Sequence, residues 1–155
     1  MAADTVIVGS GNVASHLAAA LGRRLLAVCS RNADHARGLA EAAGVPAWGG
    51  LGDIAAFNPA IVIISVADNA IDAVTETIGV LPSSPLVLHT SGTIHKERLS
   101  RISPRTGVLY PLQTFSKGTA VDMAKVPFFT EAAYESDYPI VDGLARCISS
   151  VVHHA

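Results

Sequence analysis

The sequence has little of what marks a membrane protein, a secreted protein or a nucleic-acid-binding protein. Only 15% of the 155 residues are charged, and the formal net charge of −2 gives no reason to expect nucleic acid as a partner. The longest apolar run, residues 60–67, is far too short to span a bilayer and contains Ser65. No basic segment precedes an apolar stretch near the N-terminus, so we expect neither a secretory signal nor a membrane partner.

Cysteine is equally scarce. The chain has only Cys29 and Cys147, and their spacing fits neither a zinc site nor a redox motif. His153 and His154 are adjacent and therefore lack the spacing of a metal-binding pair. We expect no metal site, two buried thiols and a reducing, cytoplasmic compartment. The other histidines that we expect to be solvated are His16, His35 and His95.

What the sequence does have is a strong alternation of apolar segments. Half of the residues are hydrophobic, and 155 residues are enough for one domain with its own core. Unbroken β-branched runs predict buried strands, and helical patterns that end at glycine lie between them. The predicted strands are residues 5–8, 25–29, 61–66, 86–89, 107–110, 127–130 and 148–153. The predicted helices are residues 12–21, 32–43, 68–78 and 139–147.

This order predicts an α/β fold with a doubly wound, mainly parallel sheet and helices on both faces. The last predicted helix and strand would complete such a sheet, so we expect a single domain over residues 1–155. In sheets of this kind a ligand binds outside the carboxyl ends of the strands. The residues that follow each strand are therefore the candidates for a functional site.

A glycine-rich motif, Gly-Ser-Gly-Asn-Val-Ala at residues 9–14, lies between the first predicted strand and the first predicted helix. In dinucleotide-binding proteins, residues placed like Gly9, Gly11 and Ala14 permit a tight turn, the approach of a pyrophosphate and close helix–strand packing. Free N–H groups at the start of the helix would then bind the phosphate charge. The alternative is a tight turn without a ligand. The residues predicted to contact a dinucleotide here are Gly9, Ser10, Gly11, Asn12 and Val13.

The end of the second predicted strand indicates which dinucleotide binds. An NAD site places Asp or Glu about 20 residues after the glycines, on the ribose hydroxyls. Here the strand runs into Ser30, Arg31 and Asn32 without an acid. Because an arginine can pair with a 2′-phosphate, assisted by the Ser30 hydroxyl, we predict NADP in preference to NAD. The alternatives are a solvated charge for Arg31 and a helix N-cap for Asn32.

Polar clusters follow three further predicted strands. The first strand ends in a segment that is predicted to line the cofactor site, consisting of Ser65, Val66 and Ala67. Asp68 comes next and fits an N-cap of the following helix better than a base. The other two clusters are His-Thr-Ser-Gly-Thr at residues 89–93 and Tyr-Pro-Leu-Gln-Thr-Phe-Ser at residues 110–116.

Together these motifs resemble a known family. With Val-Pro-Phe-Phe at residues 126–129, they are similar over nearly the whole chain to one group of Rossmann-like oxidoreductases. That group is related to the deazaflavin-dependent NADP reductases, the pyrroline-carboxylate reductases and the hydroxyacid dehydrogenases. The resemblance implies a Rossmann-type NADP-binding domain and hydride transfer to or from a small carbonyl, imine or hydroxy compound. Members also carry a C-terminal helical domain of unknown function, which is absent from this sequence.

Three residues are predicted to act on the substrate: His89, Ser91 and Tyr110. Each also has a structural interpretation, namely strand capping for His89, turn chemistry for Ser91 and core packing for Tyr110. The expected partners are a small-molecule substrate and further copies of the chain in a homo-oligomer. The alternatives to an oxidoreductase are a non-catalytic NADP-binding module, a truncated domain that needs a helical partner, and a coenzyme A site.

Overall fold

The computed structural model describes residues 3–115 and 120–154. Within these residues the chain forms eight β-strands and five α-helices, joined by short turns. The strands are β1 (Thr5–Val8), β2 (Leu25–Cys29), β3 (Trp48–Gly49), β4 (Ile61–Ile64), β5 (Leu86–His89), β6 (Thr106–Pro111), β7 (Phe128–Ala132) and β8 (Val152–His154). The helices are α1 (Asn12–Leu21), α2 (Ala33–Ala43), α3 (Ile54–Phe57), α4 (Ile71–Ile78) and α5 (Tyr138–Arg146). None of these helices has the length and apolarity that crossing a bilayer requires.

All the strands of the described residues belong to one sheet, in the order β3-β2-β1-β4-β5-β6-β7-β8. Strands β1 to β6 pair with one another in parallel, whereas β7 runs antiparallel to β6 and β8 is parallel to β7. The strand order reverses between β1 and β4, and such a switch point is where open α/β sheets bind ligands. The predicted doubly wound, mainly parallel α/β fold is confirmed.

The sheet buries apolar side chains on both of its faces. On one face Ile7 and Leu88 pack with α1, α2 and α5, and on the other Val8 and Val87 pack with α3 and α4. Because successive side chains of a strand point to opposite faces, neighbours such as Ile7 and Val8 enter different cores. This arrangement explains why the strands of the sequence are unbroken apolar runs.

Most predicted elements are present, with some changes at their ends. The predicted bounds of β1, β2, β5 and α1 agree with the structure. The sequence missed β3 and α3, which are too short to show a period. The last predicted strand is wrong in its first part, because Ile148 still belongs to the turn that ends α5. Its N–H donates to the carbonyl of Ala145, and β8 begins only at Val152.

The expectation of two buried thiols is wrong for one of them. Cys29 is buried in β2, whereas Cys147 is exposed. The cause is its position directly after the last residue of α5, at the surface. There the Arg24 guanidinium donates to the Cys147 Sγ, at 3.4 Å.

Candidate functional site

The turn between β1 and α1 passes very close to the end of β4. Gly9 has a φ of +123°, which residues with a Cβ rarely adopt. A Cβ at this position would lie 2.1 Å from the carbonyl oxygen of Ser65, far inside van der Waals contact. The N–H of Ser65 in turn donates to the carbonyl of Val8, at 2.7 Å. Glycine is therefore required at position 9 for the turn to approach β4 in this way.

Gly11 has a different environment, because it faces open space. It is the N-cap of α1, and a Cβ built on it would meet no atom of residues 3–115 or 120–154 within 4 Å. No side chain caps α1, so the N–H groups of its first turn have no side-chain acceptor. Such N–H groups, together with the positive end of the helix dipole, favour the binding of an anion.

A cavity of about 300 Å³ opens beside this turn, and we call it the β2-side cavity. It lies at the carboxyl ends of β1, β2 and β4. Its lining residues are Val8, Gly9, Ser10, Gly11, Ser30, Arg31, Asn32, His35, Leu51, Ser65, Val66, Ala67, Ala70 and Val74. The titratable side chains in this lining belong to Arg31 and His35.

A second cavity, of about 290 Å³, continues towards β5, and we call it the β5-side cavity. It is lined by Gly11, Asn12, Val13, Ser65, Val66, Ala67, Asp68, Thr90 and Ser91. Gly11 and the Ser65–Ala67 segment line both cavities, so the two form one continuous cleft across the switch point between β1 and β4. The structure thus brings together in one cleft all the residues that the sequence predicted to bind a cofactor.

The turn between β2 and α2 places a basic group at the β2-side cavity. Arg31 is exposed and forms no ion pair within the described part of the chain. Ser30 is buried, and its hydroxyl donates to the carbonyl of Asn32 at 2.6 Å, which stabilises the turn. The Asn32 side chain accepts from the N–H groups of Asp34 and His35, so Asn32 is the N-cap of α2.

Asp68, Ser91 and Thr93 form a hydrogen-bonded group at the β5-side cavity. The Thr93 hydroxyl donates to the Asp68 carboxylate at 3.0 Å, and the Thr93 N–H donates to the Ser91 Oγ at 3.2 Å. The interpretation of Asp68 as an N-cap is wrong, because its side chain bonds across to the segment after β5. Asp68 therefore places a carboxylate in the lining of this cavity.

His89 is completely buried at the end of β5 and lines neither cavity. Its Nδ1 accepts a hydrogen bond from the Ser91 N–H at 3.0 Å, so the proton of the neutral ring is on Nε2. That Nε2 has no hydrogen-bond partner among the described residues. Burial lowers the pKa of His89, and the nearby backbone of Ile94 offsets this only in part. Through this hydrogen bond the neutral ring holds the backbone of the segment after β5.

The segment after β6 contacts two other parts of the site. A Cβ on Gly92 would lie 2.7 Å from the ring of Tyr110, so this half-buried ring packs directly on the segment after β5. Further along, the Asn12 side chain donates to the carbonyl of Phe115, at 3.4 Å. Ser116, the last residue of the predicted motif, lies outside the described residues. The motif thus packs around the cleft, and Tyr110 does not line it.

A larger cavity, of about 720 Å³, lies at the opposite edge of the sheet, where the strands begin. Its arginines are already paired, Arg24 with Asp4 and Arg105 with Asp137. The cleft at the carboxyl ends, where Arg31 has no carboxylate partner among the described residues, is the better candidate for binding an anionic ligand.

The sequence missed one basic residue of the cleft, His35, which was expected to be solvated. His35 is exposed, as expected, and it is also one of the residues that line the β2-side cavity. His35 is the third residue of α2, and the first turn of a helix that follows a strand lies beside the carboxyl end of that strand. The place of His35 in the first turn of the predicted helix is the feature of the sequence that could have identified it as a residue of the cleft.

Comparison with known families gives an independent view of the chain. Residues 5–91 match the family model described as NADP oxidoreductase, coenzyme F420-dependent. No curated protein matches the chain. The family match includes the β1–α1 turn, the β2–α2 turn and the ends of β4 and β5, and thus every lining residue of the cleft.

Several solved structures have the same fold. A candidate NADP oxidoreductase from Bacteroides fragilis is 33% identical, with a TM-score of 0.87 over 99% of this chain and 61% of that one. A Thermotoga maritima protein is 22% identical, with a TM-score of 0.79 over 97% of this chain and 57% of that one. An Aspergillus terreus reductive aminase in complex with NADPH and ethyl-5-oxohexanoate is 18% identical, with a TM-score of 0.73 over 100% of this chain and 55% of that one. The chain thus spans about three fifths of the length of these structures.

Proposed function

Because the chain belongs to the family of NADP oxidoreductases described as coenzyme F420-dependent, we propose that it binds NADP(H) in the cleft at the carboxyl ends of β1, β2, β4 and β5. Cofactor binding is the function proposed for this domain itself, since the chain spans about three fifths of the structures that it resembles. For the whole protein we propose hydride transfer to or from a small carbonyl, imine or hydroxy compound. The observation that carries the proposal is the open position at Gly11, in the same cleft as Arg31, which has no carboxylate partner in the part of the chain that the structure describes.

The β1–α1 turn fits a pyrophosphate. Gly11 leaves open the space that a side chain would fill, so a phosphate can approach the backbone there. The first N–H groups of α1 have no side-chain acceptor, and they can donate to phosphate oxygens. Ser10 and Asn12, the neighbours of Gly11 in the sequence, also line the cleft.

The β2–α2 turn fits a further phosphate on the adenosine ribose. Arg31 offers a planar group of donors that matches phosphate geometry, and it has no competing carboxylate within the described residues. The turn carries no acid where an NAD site would place one. Asp34, the second residue of α2, is exposed and does not line the cavity. These features favour NADP over NAD.

The β5-side cavity is the proposed place of the nicotinamide and the substrate. A bound nicotinamide would supply or accept the hydride. The Ser65–Ala67 segment forms one wall. Asp68 and Ser91, which Thr93 joins through hydrogen bonds, also line the cavity and offer a carboxylate and a hydroxyl that can orient a polar substrate. Of the three residues predicted to act on the substrate, Ser91 lines this cavity, and we propose that it contacts the substrate or the cofactor.

His89 and Tyr110 are proposed to act as positioning residues. The His89 ring accepts the Ser91 N–H and so fixes the backbone that carries the Ser91 hydroxyl. The Tyr110 ring packs on Gly92 of the same segment. Neither side chain lines the cleft, so both would act through Ser91 and Thr93 rather than on the substrate itself.

We also propose that the chain forms a homo-oligomer. Leu112 follows β6 at the edge of the sheet where the cleft opens, and it is 50% exposed. Association with a second copy would remove this apolar side chain from water.

Calorimetric titration with NADPH and NADH tests the cofactor preference. NADPH is expected to bind more tightly, because each charge-assisted hydrogen bond from Arg31 to a 2′-phosphate contributes about 1.5–3 kcal/mol. The Arg31→Ala variant should lose most of the preference while its affinity for NADH stays nearly constant. Arg23→Ala removes another exposed arginine, outside the cleft, and serves as the matched control.

Equal affinity of the parent chain for the two cofactors would refute the NADP preference. If Arg23→Ala lowered the NADPH affinity as much as Arg31→Ala does, the effect would come from net charge rather than from a site at Arg31.

A further inference from the structure

We propose that the substrate of the β5-side cavity carries a cationic N–H group, which the Asp68 carboxylate binds. Such a group is a protonated imine or the amine that its reduction yields. This inference rests on the proposed function and narrows its substrate class, because the reacting group of a carbonyl or hydroxy compound has no N–H. It follows from the charge of the cavity and from the direction of the hydrogen bonds around Asp68.

Asp68 supplies the charge of the β5-side cavity. Among the described residues that line this cavity, Asp68 is the one with an acidic or basic side chain. The polar side chains of other lining residues, such as Ser65 and Thr90, are neutral. Asp68 is exposed, so a ligand in the cavity can reach it. The charge that the described chain offers to the substrate is therefore negative.

The basic residues near this end of the sheet do not neutralise Asp68. Arg31 and His35 line the β2-side cavity and not the β5-side cavity. Lys96, on the segment after β5, is paired with Glu131. Within residues 3–115 and 120–154, Asp68 forms no ion pair. A cation from outside the described chain can therefore take this place.

The hydroxyls beside Asp68 direct their protons towards its carboxylate. The Thr93 hydroxyl donates to the Asp68 Oδ2 at 3.0 Å, and this bond uses the one proton of that hydroxyl. The Ser91 Oγ lies 3.3 Å from the Thr93 Oγ1, so the proton between these two oxygens comes from Ser91. Both hydroxyl protons are thus engaged within the group of Asp68, Ser91 and Thr93.

The positions that this group leaves to a ligand are acceptors. A carboxylate has about four acceptor positions and no proton to donate, and Thr93 takes one of those on Asp68. A protonated imine or an amine cation brings both a donor and the opposite charge, and hydrogen bonds of this charge-assisted kind are the stronger ones. A carbonyl oxygen brings only lone pairs, and the carboxylate of a hydroxy acid would be repelled.

A cationic C=N group also suits hydride transfer. Bound NADPH would supply the hydride and become NADP⁺. Addition of the hydride to the carbon moves the electron pair of the C=N bond onto the nitrogen, which loses its positive charge. The amine that results takes up a proton from solvent and is again a cation near neutral pH. The Asp68 carboxylate can therefore bind both the oxidised and the reduced form of the substrate.

Amide chemical shifts of the isotope-labelled chain, saturated with NADP⁺, test the inference. One probe represents each substrate class: pyrrolidine is a cationic amine, cyclopentanone is a neutral carbonyl compound with the same ring size, and lactate is an anionic hydroxy acid. Pyrrolidine is expected to shift the amide signals of Ser91 and Thr93 at concentrations at least tenfold lower than cyclopentanone, a difference of about 1.4 kcal/mol. Lactate should be the weakest of the three.

Variants connect this preference to the Asp68 carboxylate. Asp68→Asn keeps the size of the side chain and removes its charge, so pyrrolidine and cyclopentanone should then act at similar concentrations. Asp68→Glu keeps the charge and should keep the order of the probes. Glu76→Gln removes an equal charge from an exposed residue of α4 outside the cavity and should behave like the parent chain. Calorimetry with NADP⁺ checks that each variant is loaded before the probes are added.

The outcomes distinguish this inference from the proposed function. If NADP⁺ binds but cyclopentanone or lactate acts at the same concentrations as pyrrolidine, the inference is overturned and cofactor binding stands. The same holds if pyrrolidine leaves the signals of Ser91 and Thr93 unchanged, or if Asp68→Asn keeps the parental preference. If NADP⁺ does not bind to the parent chain, the inference and the proposed function are both overturned.

Discussion

The two cysteines have opposite surroundings, and their reactivities should differ accordingly. Burial, assisted by the Asp53 carboxylate, raises the pKa of the Cys29 thiol to about 12, so almost none of it is thiolate near neutral pH. Cys147 is exposed at the end of α5. A thiol reagent in excess is expected to modify Cys147 rapidly in the folded chain and Cys29 only after unfolding.

An absorbance assay that counts modified thiols with time, with and without denaturant, checks this prediction. In the Cys147→Ser variant, the rapid reaction of the folded chain should disappear and the slow one should remain. Rapid modification of both thiols without denaturant would show that β2 does not protect Cys29.

The residues of the cleft differ in how far the sequence could identify them. Gly11 and Arg31 belong to motifs that begin directly after β1 and β2, so position along the chain was enough to identify them. Asp68 was misinterpreted because its partner Thr93 is 25 residues away, on the segment after another strand. The burial of His89 likewise depends on how the segment after β5 folds back over its strand. Contacts of this kind arise from tertiary packing, which no local pattern encodes.

At the scale of elements, the β1–α1 turn needs its two glycines for different reasons. Gly9→Ala would place a Cβ 2.1 Å from the carbonyl oxygen of Ser65. It would also force alanine into a backbone conformation that strongly favours glycine, so the free energy of unfolding should fall by more than about 2 kcal/mol. Gly11→Val places its side chain in open space, so the fold should persist. The affinity for NADPH should fall at least tenfold, or about 1.4 kcal/mol.

Urea unfolding and calorimetry measure the two effects. Gly38→Val is the control, because Gly38 lies in α2 outside the cleft and a Cβ there also meets nothing within 4 Å. A folded Gly11→Val chain with parental affinity for NADPH would rule out the phosphate site. A Gly9→Ala chain as stable as its parent would contradict the close approach of the turn to β4.

The elements also show what the pattern of the sequence could determine. Strands β1, β2 and β5 are short apolar runs with clear ends, so their bounds could be predicted. The direction of β7 was not predicted from the sequence. Because parallel strands need a crossover connection and no helix was predicted between β6 and β7, an antiparallel pairing of these two strands could have been expected. The end of α5 was hard to locate, because an apolar, buried residue such as Ile148 fits the turn after a helix as well as the start of a strand.

At the scale of the whole molecule, we expect the chain to associate with itself. The large exposed apolar side chains found within the described residues lie on different parts of the chain: Trp48, Val80, Leu112, Tyr134 and Ile140. Of these, Leu112 lies at the edge of the sheet where the cleft opens. Light scattering is expected to give at least twice the chain mass of 16.0 kDa at working concentration. A mass of one chain at all concentrations would contradict the proposed homo-oligomer.

The fold as a whole was predictable, because alternating strands and helices permit few topologies. The chemistry of the whole protein was less predictable, because the chain spans about three fifths of the length of the structures that it resembles. Fold alone does not give a substrate, since unrelated reactions share this architecture. What the domain itself determines is the cofactor, and the central claim is that its cleft holds NADP(H).

A competition titration tests that claim most directly, because it needs no knowledge of the substrate. The chain is first loaded with NADPH, whose fluorescence reports binding, and NADP⁺, NAD⁺ and coenzyme A are then added separately. We predict displacement by NADP⁺ at concentrations at least tenfold lower than by NAD⁺, a difference of about 1.4 kcal/mol or more, with coenzyme A the weakest competitor. Displacement by NAD⁺ or coenzyme A at the same concentrations as NADP⁺, or no binding of NADPH at all, would contradict the account.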